Sequence, residues 1–86
     1  MKVSVRLLPL KGKVIEEDIE IPLVDGSSTD KVIKAALPVI RAKMPMAGYS
    51  TFVNNLSFKE EYARFASFHP DDVLTVMEIP LSVVMP

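Results

Sequence analysis

Val73-Leu-Thr-Val-Met-Glu-Ile79 is the stretch of sequence that decides the fold. Apolar and β-branched residues fill both of its alternating faces, with Glu78 as the charged exception. A strand that is apolar on both faces belongs in the interior of a sheet. Pro70-Asp-Asp72 is a turn signal before this run, and Pro80 ends it because proline has no N–H to donate. The pattern therefore predicts a buried strand over residues 73–79.

Two alternating runs near the N-terminus predict a β-hairpin. The first run predicts a strand over about Lys2–Leu8, and Lys11-Gly-Lys13 supplies the turn. The second run places apolar residues on one face and acidic residues on the other, except that Glu17 falls in phase with the apolar set. That apolar set consists of Ile15, Ile19, Ile21 and Leu23.

Apolar residues then recur at helical spacing, which predicts a helix over about Thr29–Lys43 with one face on the sheet. Ser27 or Ser28 is the expected N-cap, and Ser27 with Asp30 makes a rough capping box. Pro38 lies inside the pattern, so we expect a kink or break there.

Short elements are predicted between the helix and the last strand. Residues 51–54 form a short strand, Asn54-Asn55 a tight turn, and residues 56–58 pair briefly. Residues 60–66 predict one or two helical turns. A ferredoxin-like sandwich would need a second full helix, for which this segment is too short.

These elements predict a single α+β domain over residues 1–86 with the ubiquitin-like β-grasp fold. We expect a mixed sheet of four to five strands, with one main helix across one face and the last strand beside the first. Residues 81–86 would follow the sheet as an apolar C-terminal tail.

Composition narrows the classes of function. The chain has no cysteine, which excludes disulfides, thiolate metal sites and iron–sulfur clusters. A net charge of −1 offers no field for nucleic acid or for an anionic membrane. No secretory or membrane-spanning pattern is present, so we expect a cytoplasmic protein, and the oligomeric state stays open. Because no Lys or Arg follows Arg64, the C-terminal end is expected to be acidic or neutral and to suit a basic partner surface.

Three groups of residues are candidates for chemistry. The lone His69 could act as a base, but capping of the turn is the simpler interpretation. Met44-Pro-Met46 could offer thioethers to Cu(I), or fill gaps in a core. The acidic run at residues 16–20 could bind a cation or a partner, although a solvated strand face that protects a sheet edge is favoured. The sequence thus predicts a binding module, with no catalytic residue, metal or cofactor.

The C-terminal tail is the candidate partner-binding segment because it is apolar and carries no charge. It either folds back on its own sheet or inserts into a partner. Its residues are Leu81, Ser82, Val83, Val84, Met85 and Pro86.

The chain resembles the MoaD/ThiS family of small β-grasp sulfur carriers over nearly its whole length. Met1-Lys-Val-Ser-Val5 is similar to their first strand, and Asp25-Gly-Ser-Ser-Thr-Asp-Lys-Val-Ile-Lys-Ala-Ala-Leu37 to their helix opening. Phe52-Val-Asn-Asn55 resembles their Val-Asn-Gly strand and turn, and Pro70-Asp-Asp-Val73 their Gly-Asp-Glu-Val turn. The resemblance implies a carrier whose terminal glycine is adenylated by an activating enzyme, becomes a thiocarboxylate and donates sulfur to molybdopterin or thiazole.

The tail departs from that family at the residues that carry its chemistry. Val83 and Val84 stand where the carriers have Gly-Gly, and no glycine follows Gly48. β-Branched valines stiffen the backbone and fill a channel that suits glycine. The expected function is therefore a non-enzymatic accessory or structural subunit that docks its last strand and tail in a larger protein. The alternative is a divergent sulfur carrier that is activated at its C-terminus without Gly-Gly.

Overall fold

A computed structural model of the chain describes residues 1–54, 56–57 and 66–80. Within these residues the chain forms five strands and one helix. Their bounds are β1 Lys2–Leu8, β2 Ile15–Glu20, α1 Thr29–Lys43, β3 Gly48–Val53, β4 Leu56–Ser57 and β5 Val73–Ile79.

The described strands form one mixed sheet in the order β2-β1-β5-β3-β4. The two central strands, β1 and β5, are parallel, and the outer pairs β1–β2, β5–β3 and β3–β4 are antiparallel. Helix α1 packs on one face, since its buried residues belong to the same core cluster as those of β1 and β5. The molecule is thus an α+β fold with a β-grasp-like arrangement, as far as the described residues show.

The last strand lies in the interior of the sheet, as its sequence predicts. β5 is hydrogen-bonded to β1 on one side and to β3 on the other. Leu74 and Val76 are fully buried, and they pair in register with Val5 and Leu7 of β1. These residues point toward α1, and alternation turns their neighbours in sequence to the opposite face.

Helix α1 has the predicted bounds and continues through Pro38 without a break. Pro38 is exposed, so the carbonyl that its missing N–H would have satisfied can bond to water. Ser28 is the N-cap and accepts a hydrogen bond from the Lys31 N–H. The prediction of a capping box between Ser27 and Asp30 is wrong. The Ser27 hydroxyl instead donates to the Val24 carbonyl at 2.6 Å and closes the preceding turn.

The shorter elements follow the prediction with shifted bounds. β3 begins three residues earlier than expected, at Gly48, and its last residue Val53 pairs with Leu56 of β4. Asn54 has φ 52°, as a tight turn requires. Of the predicted helical turns at residues 60–66, all but Ala66 lie outside the described residues. The Ala66 carbonyl accepts a hydrogen bond from the Thr29 N–H at 2.7 Å, which ties the start of α1 to the chain that leads into β5.

Candidate functional site

The face of the sheet opposite α1, here called the open face, carries a row of half-buried apolar side chains. No described helix or strand packs on this face. Leu8 pairs with Met77 across β1 and β5, and Thr75 pairs with Phe52 across β5 and β3. Thr75 is only 5% exposed, and the apolar neighbours are intermediate in burial. The row continues to Ile79 at the end of β5.

The end of the sheet at which β1 and β5 finish and β3 begins is here called the exit end. Gly48 pairs with Ile79 there, and Pro80 is exposed immediately beyond. Any segment that follows β5 therefore starts from the middle of the sheet, between β1 and β3. The predicted partner-binding tail, Leu81–Pro86, lies outside the described residues.

The tip of the β1–β2 hairpin reaches the same end. Lys11, Lys13 and Gly12 are exposed there, and Gly12 has φ 102°. Leu10 and Val14 are 53% and 48% exposed, which is unusual for large apolar side chains. The sequence identifies this tip as a turn, but its place beside the end of β5 depends on the parallel register and was not predicted.

A hydrogen bond fixes the hairpin tip to the last strand. The Leu10 N–H donates to the Glu78 carboxylate at 3.0 Å. On the α1 side of the same end, the Arg41 guanidinium lies 5.7 Å from the ring centre of Tyr49, which pairs with Glu78. The single acidic residue of β5, Glu78, thus accepts a backbone hydrogen bond from the hairpin tip.

A groove of about 620 Å³ lies at the other end of the open face. Its polar wall combines Arg6 with Glu16 and Asp18, and its far side is formed by Asn54 and Thr75. The Arg6 Nε lies 3.6 Å from the Glu16 carboxylate and has no hydrogen-bond partner among the described residues. Because a positive and a negative side chain lie side by side in the wall, the groove does not present charge of one sign that would select an ion.

The acidic strand β2 is the edge of the described sheet, and its carboxylates have partners within the molecule. Asp18 accepts from the Ser4 hydroxyl at 2.9 Å and lies 3.5 Å from Lys2. Glu20 and Glu16 pair with the Met1 amino group and Arg6. These contacts support the interpretation of β2 as a solvated strand that protects an edge.

Glu17, the acidic residue out of phase with its strand, also has a partner. Its position in the register is opposite Val5, which is buried beneath α1. Glu17 therefore points toward the helix, where its carboxylate forms an ion pair with Lys43 in the last turn. The apparent exception in the strand pattern is a contact between the edge strand and the helix.

The turn before β5 contains the densest polar network of the described residues. The Asn54 carboxamide donates to Asp72 at 2.7 Å and accepts from the Val73 N–H at 2.9 Å. Asp72 in turn accepts from the His69 N–H at 2.8 Å. This network joins the end of β3 to the start of β5. It satisfies backbone groups at the turn, as expected of a structural cap.

The other residues that the sequence offers for chemistry, His69 and Met44-Pro-Met46, occupy a turn and the core. His69 is exposed at the turn, and its backbone carbonyl accepts from the Asp72 N–H at 3.0 Å. Met44 is a core residue that is 4% exposed, and the half-buried Met46 packs against the core cluster. Met44 therefore fills the core as the simpler interpretation predicts. Residues 1–54 and 66–80 contain no group of three His, Asp or Glu side chains placed to hold a metal ion.

Comparisons with protein-family models, with curated proteins and with solved structures find no match to this chain. The resemblance to the sulfur carriers thus stays a prediction from the sequence. Within the described part of the chain, no helix is both long enough and apolar enough to span a membrane.

Proposed function

We propose that this chain is a non-enzymatic binding module with the ubiquitin-like β-grasp fold, related to the MoaD/ThiS sulfur carriers. It acts as an accessory or structural subunit that docks the end of β5 and residues 81–86 in a larger cytoplasmic protein. The observation that carries the proposal is the central position of β5, which ends at Ile79 between β1 and β3. In the sequence, Pro80 and then the uncharged segment 81–86 follow β5.

The open face supports the same proposal. Leu8, Phe52, Met77 and Ile79 form a half-buried apolar row that leads to the exit end. Apolar surface on one face of a sheet favours contact with another protein, because that surface loses water on docking. The row would extend the interface beyond the segment 81–86.

Native mass spectrometry on the untagged protein from its source tests this function. We expect the chain in fixed stoichiometry with a larger subunit. Deletion of residues 81–86 should abolish that complex, and Val83→Asp with Val84→Asp should weaken it strongly because charges would enter an apolar site. Ser82→Ala is the matched control in the same segment and should leave the complex intact.

Two results would contradict the proposal. Unchanged assembly after deletion of residues 81–86 would show that this segment does not dock. A free chain that gains mass at its C-terminus in an ATP-dependent reaction with an activating enzyme, as a thiocarboxylate, would establish the divergent sulfur carrier instead.

A further inference from the structure

The groove on the open face contains a buried side-chain donor that has no hydrogen-bond partner among the described residues. This donor is the Arg6 Nε, and the Glu16 carboxylate lies 3.6 Å from it, which is beyond hydrogen-bond distance. A buried polar group without a partner costs about 1–3 kcal/mol, so such groups are rare in folded proteins. The Arg6 N–H therefore calls for an acceptor that the sheet itself does not supply.

The sheet holds the two members of this loose pair differently. Arg6 and Glu16 are opposite each other in the register of β1 and β2, and both line the groove. Arg6 lies on β1, which has a strand on either side, and its side chain is 42% exposed. Glu16 lies on the edge strand of the described sheet and is 72% exposed, so water competes for its carboxylate. The guanidinium is thus held in place, whereas the carboxylate has room to turn.

The neighbouring acidic residue in the groove is already satisfied. Asp18 accepts from the Ser4 hydroxyl at 2.9 Å and lies 3.5 Å from the Lys2 amino group. It faces the same side as Glu16 and is two residues along β2, which is about 7 Å. A ligand can therefore enter between Arg6 and Glu16 without breaking a hydrogen bond of the protein.

The charges in the groove select a ligand that carries both signs. A carboxylate alone would gain Arg6 but would approach Glu16 and Asp18, and an ammonium alone would meet the guanidinium. A molecule with a carboxylate and an ammonium finds an opposite charge for each. The Nε side of a guanidinium presents two parallel N–H groups, which match the two oxygens of a carboxylate.

We propose that this groove binds a small zwitterion whose carboxylate and ammonium share a short carbon frame, as in a free α-amino acid. The ligand carboxylate takes the Nε side of Arg6, and Glu16 turns to pair with the ammonium. Asp18 adds negative charge on the same side of the ligand. This activity goes beyond the docking function and does not depend on it.

The rest of the groove fits a short aliphatic side chain. Its volume of about 620 Å³ falls within the range of about 300–1,000 Å³ that is usual for small-molecule sites. Val73 lies beside Ser4 in the register of β5 and β1, and it is 37% exposed. A branched side chain has room to lie against Val73 while the charged groups of the ligand stay at Arg6 and Glu16.

Three matched probes, titrated into the full chain and followed by backbone amide NMR, test the inference. L-valine carries both charges, isovalerate is the same molecule without the ammonium, and isobutylamine is the same molecule without the carboxylate. We expect L-valine to shift amides of residues 4–6, 16–18 and 73–75, with a Kd at least about tenfold below those of the other two probes. Equal dissociation constants for the three probes would overturn the inference. Absence of a saturable shift with L-valine at about 100 mM would also overturn it.

Variants of the loose pair identify the residues that bind. Arg6→Gln should abolish the response to L-valine, and Glu16→Gln should raise its Kd by about fivefold or more because the ammonium loses its partner. Arg41→Gln removes an exposed arginine from α1 and is the matched control, with an unchanged Kd. Amide dispersion shows whether each variant is folded, and the exposed Glu16 provides the test if Arg6→Gln does not fold. An unchanged Kd for L-valine in folded Glu16→Gln would overturn the inference.

Discussion

Strands β5 and β2 show two ways in which one small sheet uses a strand. β5 is central and apolar on both faces, and Leu74 and Val76 are fully buried. β2 is an edge of the described sheet, with a single buried residue, Ile19, and with acidic residues at four of its six positions. The first strand is held by burial, and the second is held by its backbone ladder and by ion pairs with neighbouring elements.

This difference separates a cohesive centre of the sheet from an edge that is protected against association. Burial of apolar surface stabilises the centre of the sheet, where both ladder partners are present. An edge strand with unpaired N–H and C=O groups invites association with other chains, and charge discourages it. The exit end departs from this division. There β5 ends in the apolar residue Ile79, and the exposed Pro80 follows it.

The largest expected effect comes from a cavity in β5. Leu74→Ala removes a fully buried side chain and should lower the free energy of unfolding by about 2–5 kcal/mol. Val73→Ala changes the neighbouring residue, which is 37% exposed on the opposite face, and should cost much less. Urea denaturation of both variants measures the contrast. Equal losses of unfolding free energy in Leu74→Ala and Val73→Ala would contradict this prediction, since the two faces of β5 would then contribute equally to stability.

The polar network at the start of β5 comes next in magnitude. Asn54→Ala removes the bonds to Asp72 and to the Val73 N–H and should cost about 1–2 kcal/mol. Asn54→Gly removes the same bonds but tolerates φ 52°, so it should be the less damaging variant. Thermal denaturation of both separates hydrogen bonding from backbone conformation. If Asn54→Gly lowers the stability more than Asn54→Ala does, the positive φ is not the reason for asparagine at this position.

The sequence predicts the elements whose patterns are long and regular. The bounds of β1, α1 and β5 agree with the prediction because alternation and helical spacing extend over seven to fifteen residues. The start of β3 at Gly48 was missed, since glycine signals the end of a helix as readily as a strand. The choice of Ser28 over Ser27 depends on the Val24 turn, which the local pattern does not specify.

The candidate site was less predictable because it depends on register. The hairpin tip and the end of β5 are separated by more than sixty residues, and the hydrogen bond from Leu10 to Glu78 joins them. Charge counted along the sequence groups Asp71 and Asp72 with Glu78 as one acidic end, whereas β5 separates the two aspartates at its start from Glu78 near its finish. Glu17 likewise interrupts the apolar face of its strand in the sequence, and only the structure shows its ion pair with Lys43.

A smaller effect is expected from the buried residue of β2. Ile19→Val should cost about 0.5–1.5 kcal/mol, because one methylene leaves a site that is 4% exposed. Ile15→Val, at a half-buried position of the same strand, is the control and should cost less. Chemical denaturation gives both values. If Ile19→Val lowers the free energy of unfolding as much as Leu74→Ala does, β2 also depends on the core.

The smallest expected effect concerns the ion pair that joins β2 to α1. Glu17→Gln and Lys43→Gln, alone and together, form a double-mutant cycle across the pair. Both side chains are partly exposed, at 43% and 36%, so solvent screens the attraction and the coupling energy should be about 0.2–1 kcal/mol. It should fall as salt is raised. The same cycle on Lys2 and Asp18, which are 70% and 50% exposed, should give less. A larger coupling at Lys2 and Asp18 would mean that the lower exposure of Glu17 and Lys43 does not strengthen their ion pair.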